Sequence, residues 1–222
     1  MVKKMSVTIY TESGSSIGLG HVFRCFSLIQ AFSVFKITPS FIVRGDLDVK
    51  KILNYQKYRF YDWISDRDRL ITELPVSDIV VVDSYNATLR ILRRIASNAR
   101  LSVFIDDYAR LEYPQGIVIN SSINTDKFAS KQNNKFLLGG DYALLRKEFW
   151  HRPRFIVRKK IANLLISMGG TDYFHLSEKV LDIILKKYSA IKIDLVIGPG
   201  FPRNDFLLHK THKQPLNGFQ PI

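Results

Sequence analysis

A histidine that follows two closely spaced glycines constrains the fold of this chain more than any other feature. Residues 17–25 read IGLGHVFRC and come after a β-type run at 6–10 and a polar stretch at 12–16. The amphipathic pattern of a helix begins right after the glycines, so His21 opens that helix. A strand, a glycine turn and a helix in this order are typical of α/β folds, which bind ligands at the carboxyl ends of parallel strands.

Strand-like and helix-like runs alternate along the chain, which predicts a doubly wound α/β domain. The run at 78–82 is strongly apolar, as in strands that are buried on both faces of a parallel sheet. Together the runs predict strands at 6–10, 40–43, 58–63, 78–82, 101–105, 116–119 and 136–138, with helices at 21–32, 49–55, 66–73 and 88–98.

A basic stretch interrupts the alternation and predicts a division into two domains. Residues 1–150 form the first domain, and residues 151–160 are the linker. A second α/β unit occupies residues 161–222, with strands expected at 162–167 and 191–197 and a helix between them. Because one helix and two strands cannot bury a core alone, the second domain is expected to be either much reduced or incomplete.

Polar residues follow three of the best strands at the point where each one ends. Asp83 follows one strand, Asp106 and Asp107 follow the next, and Asn120 follows the third. Because the carboxyl ends of parallel strands share one edge, these side chains are expected to converge on one crevice. Any of the three aspartates could orient the imidazole of His21, and helix capping or strand-end hydrogen bonding is the alternative for each.

His21 is the candidate general base. A general base must be largely uncharged and within reach of its water, and a helix N-terminus favours an uncharged imidazole. The alternative is a histidine that only packs against or caps the start of the helix. Arg24 shares the helix face, where it either contacts a ligand or forms a structural ion pair. The lone Cys25 falls on the predicted buried face of the same helix.

A second glycine turn precedes the helix of the second unit. Residues 169–172 read GGTD, and the bare amides with the Thr171 hydroxyl could hold a phosphate. The alternative is a tight turn in which Thr171 or Asp172 caps the helix. The first glycine motif does not fit a dinucleotide site, because Phe23 stands where a third glycine would be needed.

The charge of the chain suits an anionic partner. Lys and Arg number 33 against 20 Asp and Glu, which leaves a net charge of +13. The basic residues are scattered and form no nucleic-acid-binding module, so we expect a phosphorylated small molecule and no nucleic acid. A single cysteine excludes an internal disulfide and a cysteine zinc cluster, and the histidines lack metal-ligand spacing. We find no signal-type run and no membrane-spanning run, so a cytoplasmic location is expected.

Five segments of the chain carry a family resemblance. They are IGLGHVFRC at 17–25, VDSY at 82–85, IDD at 105–107, GDYALLRKEF at 140–149 and SMGGTD at 167–172. In this order they resemble the UDP-sugar hydrolases of pseudaminic acid biosynthesis, which are related to GT-B glycosyltransferases. The resemblance extends over residues 6–198, and the segment at 142–149 is its most specific part.

The resemblance implies a GT-B fold with a complete, doubly wound Rossmann-like first domain and an incomplete Rossmann-like second domain. It implies hydrolysis of UDP-2,4-diacetamido-2,4,6-trideoxy-β-L-altropyranose at the anomeric carbon with inversion, which releases UDP and the free sugar. The UDP-sugar is the expected partner, and neither a metal nor a cofactor is implied. Such an activity belongs to the biosynthesis of nonulosonic acids for flagellin glycosylation and cell-surface polysaccharides.

Individual positions take their expected roles from the same resemblance. His21 removes the proton from the attacking water, and Tyr85 lines the sugar site. The expected substrate contacts are Ile17, Gly18, Gly20, Arg24, Asp83, Tyr85, Asp106 and Asn120, and the expected nucleotide contacts are Gly169, Gly170 and Thr171.

Two departures from the family leave alternatives open. An Arg-x-Asp-x-Ser pattern usually precedes the glycine motif, and Tyr10, Glu12 and Gly14 stand at those positions here. The family continues past the position of Ile222 with a Glu-Ala motif for the ribose, so the chain resembles a truncated member.

A non-catalytic remnant that binds the sugar weakly is one alternative to the hydrolase. A glycosyltransferase that passes the sugar from a UDP donor to a hydroxyl group is the other.

Overall fold

A computed structural model divides the chain into two compact units, Met1–Arg152 and Pro153–Ile222. It describes residues 5–14, 17–45, 58–65, 74–122, 134–151, 156–157, 159–169, 172, 174–188, 191–198 and 201. The helices predicted at 49–55 and 66–73 lie outside these residues. No helix in the described ranges combines the length and the apolar character that crossing a bilayer requires.

Among the described residues of the first unit, seven strands form one parallel sheet. The strands are β1 (Val7–Glu12), β2 (Ser40–Arg44), β3 (Tyr58–Phe60), β4 (Ser77–Asp83), β5 (Ala99–Ile105), β6 (Ile117–Asn120) and β7 (Lys135–Leu138). They lie in the order β3-β2-β1-β4-β5-β6-β7, and every neighbouring pair is parallel. This order is that of Rossmann-like α/β folds, whose topological switch point lies between β1 and β4. The predicted α/β class is therefore confirmed.

The helix α1 (Gly20–Val34) covers one face of this sheet. Its residues Val22, Cys25 and Ile29 recur at intervals of three and four, so they share one side of the helix. They pack against residues of the central strands such as Val81. Full burial of an aliphatic side chain contributes about 1.5–3 kcal/mol, so this interface holds the start of α1 firmly against the strand ends.

The helix α2 (Leu89–Ala96) contributes to the core on the opposite face. Leu92 and Ile95 pack there with residues such as Tyr10 and Phe104. Side chains of a strand alternate between faces, and here the odd-numbered residues of β1, β4 and β5 lie on the α1 face. The even-numbered apolar residues lie on the α2 face. This alternation decides which polar residues meet at the strand ends.

The strand predicted at 58–63 is shorter in the structure, because Trp63 enters the core on the α2 face. Its indole N–H donates a hydrogen bond to the carbonyl of Thr11 at 2.9 Å. Its ring meets the ring of Tyr10 edge-on, with the centroids 5.4 Å apart. The hydrogen bond and the ring contact hold Trp63, which follows β3, against the carboxyl end of β1.

The second unit contains the predicted strand, helix and strand. They are β8 (Asn163–Ser167), α3 (Leu176–Lys187) and β9 (Lys192–Val196), and the two strands pair in parallel. Ile166, Leu181 and Ile193 form the buried cluster between them. The secondary structure expected for this part of the chain is confirmed.

Candidate active site

The loop between β1 and α1 is closed by hydrogen bonds around two glycines. The N–H of Gly18 donates to the carbonyl of Gly14 at 2.7 Å, and the Ser13 hydroxyl donates to the carbonyl of Gly18 at 2.8 Å. Gly18 has a φ of +81°, which glycine adopts without the steric penalty of a side chain. Ile17, a predicted substrate contact, is half-buried in this loop. The loop thus delivers the chain to the start of α1 at the carboxyl edge of the sheet.

The N-terminus of α1 is open at Gly20. Leu19 precedes the helix without a side-chain cap, and the first turn carries no acidic residue. A methyl group built on Gly20 would meet no protein atom within 4 Å among the described residues. Because the first amides of a helix have no partner inside the helix, this end can donate to an anionic or carbonyl oxygen.

His21 is held by Asp83 through one ring nitrogen. Its Nδ1 lies 2.7 Å from Oδ1 of Asp83, which accepts the Nδ1 proton and leaves the lone pair of the neutral ring on Nε2. The side chain is 4% exposed. In the described part of the chain nothing bonds to Nε2, and Nε2 is not one of the fully buried atoms that lack a partner. The small exposed part of His21 therefore includes Nε2.

Arg24 joins two carboxylates beside this histidine. Its Nε donates to Oδ2 of Asp83 at 2.8 Å, and its Nη2 donates to Oδ1 at 2.6 Å, so the pair is bidentate. Its Nη1 lies 2.8 Å from both oxygens of Asp107. Of the two roles open to Arg24 in the sequence, the structure therefore shows the ion pair.

Both partners of this ion pair are held in their charged forms. Burial works to raise the pKa of Asp83, but the hydrogen bonds from His21 and Arg24 outweigh it and lower the pKa below its ordinary value. Burial works to lower the pKa of Arg24, but the bonds and charges of Asp83 and Asp107 raise it well above its ordinary value. Above its lowered pKa, Asp83 is consequently a charged hydrogen-bond acceptor for the Nδ1 proton.

Tyr85 covers the histidine from the turn after β4. Its ring lies edge-on to the His21 ring with the centroids 4.2 Å apart, and its hydroxyl donates to Oδ2 of Asp107 at 2.9 Å. Burial, and then the bond to Asp107, raise the pKa of Tyr85 well above its ordinary value, so the hydroxyl keeps its proton. The ring of Tyr108 lies 5.4 Å from that of Tyr85 and is 67% exposed.

Asp106 and Asn120 belong to a different hydrogen-bond network at the same edge. The Asp106 carboxylate accepts the N–H groups of Tyr108 and Arg110 at 3.0 and 2.8 Å. The side-chain amide of Asn120 donates to the carbonyl of Asp106 at 2.7 Å, and its Oδ1 accepts the N–H and the hydroxyl of Ser122. Both residues shape the turns after β5 and β6, and no hydrogen bond in the described residues links them to His21 or Arg24.

The glycine turn of the second unit precedes α3, and Asp172 caps the start of that helix. Gly169 has a φ of +86°, and Gly170 and Thr171 lie outside the described residues. The Asp172 carboxylate accepts the N–H groups of Leu176 and Ser177 at 2.8 Å each. Burial works to raise the pKa of Asp172, but those hydrogen bonds lower it. The capping alternative thus holds for Asp172, which occupies two amides that a phosphate at the start of α3 would otherwise use.

The surroundings of Cys25 disfavour a nucleophilic role. Its thiol is buried and lies 3.7 Å from Oδ2 of Asp83. Burial and then the charge of Asp83 raise the pKa of the thiol. Among the described residues no three His, Cys, Asp or Glu side chains are grouped to hold a metal ion.

The structure therefore brings together four of the predicted residues, His21, Arg24, Asp83 and Tyr85. Asp107, which the sequence offered as a candidate partner of His21, pairs instead with Arg24 and Tyr85, whereas Asp106, the predicted substrate contact, belongs to the separate network. The alternation of side chains along β5 is the sequence signal that favours Asp107 over Asp106 as a neighbour of α1. Residues 103, 105 and 107 share one parity, and the first two lie on the α1 face.

In comparison with known proteins, no family model matches the chain. The chain is similar to the uncharacterized protein MJ1062 of Methanocaldococcus jannaschii, with 25% identity in an alignment 217 residues long that covers 91% of this chain and 44% of the archaeal protein. The chain thus spans less than half the length of this relative.

Proposed function

We propose that the chain hydrolyses a UDP-linked diacetamido-trideoxy sugar at its anomeric carbon, with His21 as the general base. The observation that carries this proposal is the hydrogen bond from Nδ1–H of His21 to Asp83, which leaves the lone pair of the neutral ring on Nε2. A carboxylate that orients an imidazole in this way is the arrangement general bases use in other hydrolases. We assign the chain a GT-B architecture, in which Gly169, Gly170 and Thr171 contact the nucleotide.

The reaction proceeds in one displacement. Nε2 of His21 accepts a proton from water while the water oxygen bonds to the anomeric carbon. The bond between that carbon and the diphosphate oxygen breaks, and UDP leaves with the electron pair and with inversion. The imidazolium that forms is stabilised by the Asp83 carboxylate, which Arg24 keeps charged. A positioned general base contributes about 10²–10⁴-fold to such a step.

The substrate approaches the open end of α1 in this proposal. Gly18 and Gly20 leave space above the helix N-terminus, whose amides donate to an acetamido or diphosphate oxygen. Tyr85 limits the space beside His21 and offers its ring face to the sugar. UDP is already a good leaving group, so one base together with charge stabilisation by amides is sufficient chemistry.

The test uses the full chain and UDP-2,4-diacetamido-2,4,6-trideoxy-β-L-altropyranose. We expect release of UDP, ¹⁸O from labelled water in the sugar product, and the inverted anomer as the first species seen by NMR. The His21→Ala variant should lose this turnover, whereas the control His151→Ala, which changes an exposed histidine, should keep it. Binding of the UDP-sugar without any release of UDP would contradict the proposal. Release that occurs only after addition of a hydroxyl acceptor would indicate a glycosyltransferase.

A further inference from the structure

Glu12 is a fully buried acidic residue at the end of β1. Its exposed fraction is 0%, and the end of β1 is one strand away from Asp83 at the end of β4. Glutamate is almost never buried to this extent unless its charge is matched by donors. The hydrogen-bond donors around Glu12 therefore indicate which part of the structure its carboxylate holds in place.

Most of those donors come from the turn that follows β4. Oε1 of Glu12 accepts the main-chain N–H of Tyr85 at 2.6 Å and that of Asn86 at 3.0 Å. Oε2 accepts the side-chain amide of Asn86 at 3.1 Å and Nη1 of Arg44 at 3.4 Å. Three of the four donors thus lie on two consecutive residues of one turn.

The same turn is held from its other side by Arg110. Its Nη1 donates to the carbonyl of Ala87 at 3.0 Å, and its Nη2 donates to the carbonyl of Ser84 at 3.2 Å. The carboxylate of Glu12 thus binds the N–H groups of the turn while the guanidinium binds its carbonyls. A main chain held at both its donors and its acceptors has little freedom to rotate.

We propose that Glu12 is a positioning residue that keeps the ring of Tyr85 against the imidazole of His21. Glu12 accepts the main-chain N–H of Tyr85 at 2.6 Å. The ring centroid of Tyr85 lies 4.2 Å from that of His21. Loss of the Glu12 bonds frees the turn to rotate and moves the ring away from the base. The effect on turnover rests on the proposed hydrolase function, whereas the effect on ring geometry does not.

The first measurement is the NMR chemical shift of the His21 ring protons, which the nearby Tyr85 ring perturbs. These signals are assigned by their loss in His21→Ala, and Tyr85→Ala shows their position without the tyrosine ring. The test variant is Glu12→Gln, since one amide cannot accept from all four donors. The control is Asp62→Asn, which removes the 45% exposed carboxylate that pairs with Nε of Arg44 at 2.8 Å.

We expect the His21 signals of Glu12→Gln to move towards those of Tyr85→Ala, while Asp62→Asn matches the wild type. A folded Glu12→Gln protein with wild-type His21 signals overturns the proposal. If Glu12→Gln does not fold, Glu12→Asp serves instead, because its shorter side chain keeps the charge but cannot span both amides. Failure of both variants to fold also overturns the proposal, since Glu12 would then serve the fold and not the site.

The second measurement is a double-mutant comparison of turnover. We expect Glu12→Gln to lower kcat by about tenfold with a smaller change in KM, and to add no further loss in a Tyr85→Ala background. Additive losses overturn the role of Glu12 through Tyr85. If the wild-type chain does not turn over, the hydrolase proposal fails while the NMR comparison still decides the role of Glu12.

Discussion

Oδ1 of Asp83 lies 2.7 Å from Nδ1 of His21 and 2.6 Å from Nη2 of Arg24. One buried oxygen therefore fixes the tautomer of the proposed base and anchors the cation that keeps the carboxylate charged. A substitution of Asp83 that keeps the size of the side chain therefore tests the orientation of the His21 ring separately from its packing.

Replacing Asp83 with asparagine should abolish most of the turnover. The amide of Asp83→Asn keeps the size of the side chain but cannot accept both the Nδ1 proton and the two Arg24 donors. We expect kcat to fall by roughly 10³-fold, because the imidazole loses its orientation. Turnover is measured as release of UDP, with Asp78→Asn as the control at the opposite end of β4, where the carboxylate binds Ser6. Wild-type turnover in Asp83→Asn would contradict the role of the carboxylate.

The same substitution should change how stability depends on pH. Burial works to raise the pKa of Asp83, but His21 and Arg24 hold it below its ordinary value of 3.8. Its contribution to stability is therefore fully present above the unfolded pKa of about 4, and it is lost as the pH falls through the folded pKa.

Urea denaturation at a series of pH values tests this dependence. We expect the free energy of unfolding of the wild type to fall from about pH 5 to about pH 2, and Asp83→Asn to show a shallower fall. Asp62 and Asp172 also have lowered pKa values, but both are present in each protein and their effect cancels in the comparison. Equal slopes in the two proteins would show that Asp83 is not the source.

Removal of the Tyr85 hydroxyl should have a smaller effect than removal of its ring. Tyr85→Phe loses the 2.9 Å bond to Asp107 but keeps the ring beside His21. We expect a loss of about 1 kcal/mol in the free energy of unfolding, since the bond is partly exposed to solvent. Turnover should fall further in Tyr85→Ala than in Tyr85→Phe. Tyr188→Phe, at an exposed tyrosine of the second unit, is the control, and equal turnover in both Tyr85 variants would exclude a role for the ring.

The strand ends that carry this site were predictable, because apolar runs that end in aspartate define the carboxyl edge of a parallel sheet. The choice between Asp106 and Asp107 was open to an argument from strand alternation, since Ile105 lies on the α1 face. The role of Glu12 was not predictable. Its donors lie 73 and 74 positions along the chain, and only the pairing of β1 with β4 brings them together.

The capping of α3 shows a second limit of the sequence. A glycine turn before a helix is compatible with a phosphate site and with a side-chain cap, and both use the same amides. The carboxylate of Asp172 caps Leu176 and Ser177, because its oxygens reach both N–H groups, so a nucleotide at this turn has to use other donors. Whether the Asp172 side chain reaches these N–H groups depends on the backbone geometry of the loop, which residue types alone do not determine.

The two glycines of the first motif should respond differently to alanine. Gly18 has a φ of +81°, so Gly18→Ala should destabilise the fold by about 1–2 kcal/mol in urea denaturation. Gly20 lies in α1 with open space above it, so Gly20→Ala should leave the free energy of unfolding unchanged or raise it by less than about 1 kcal/mol. Its methyl group enters the space proposed for the substrate, and we therefore expect KM for the UDP-sugar to rise. A Gly20→Ala protein with wild-type stability and wild-type KM would show that the substrate does not approach the start of α1.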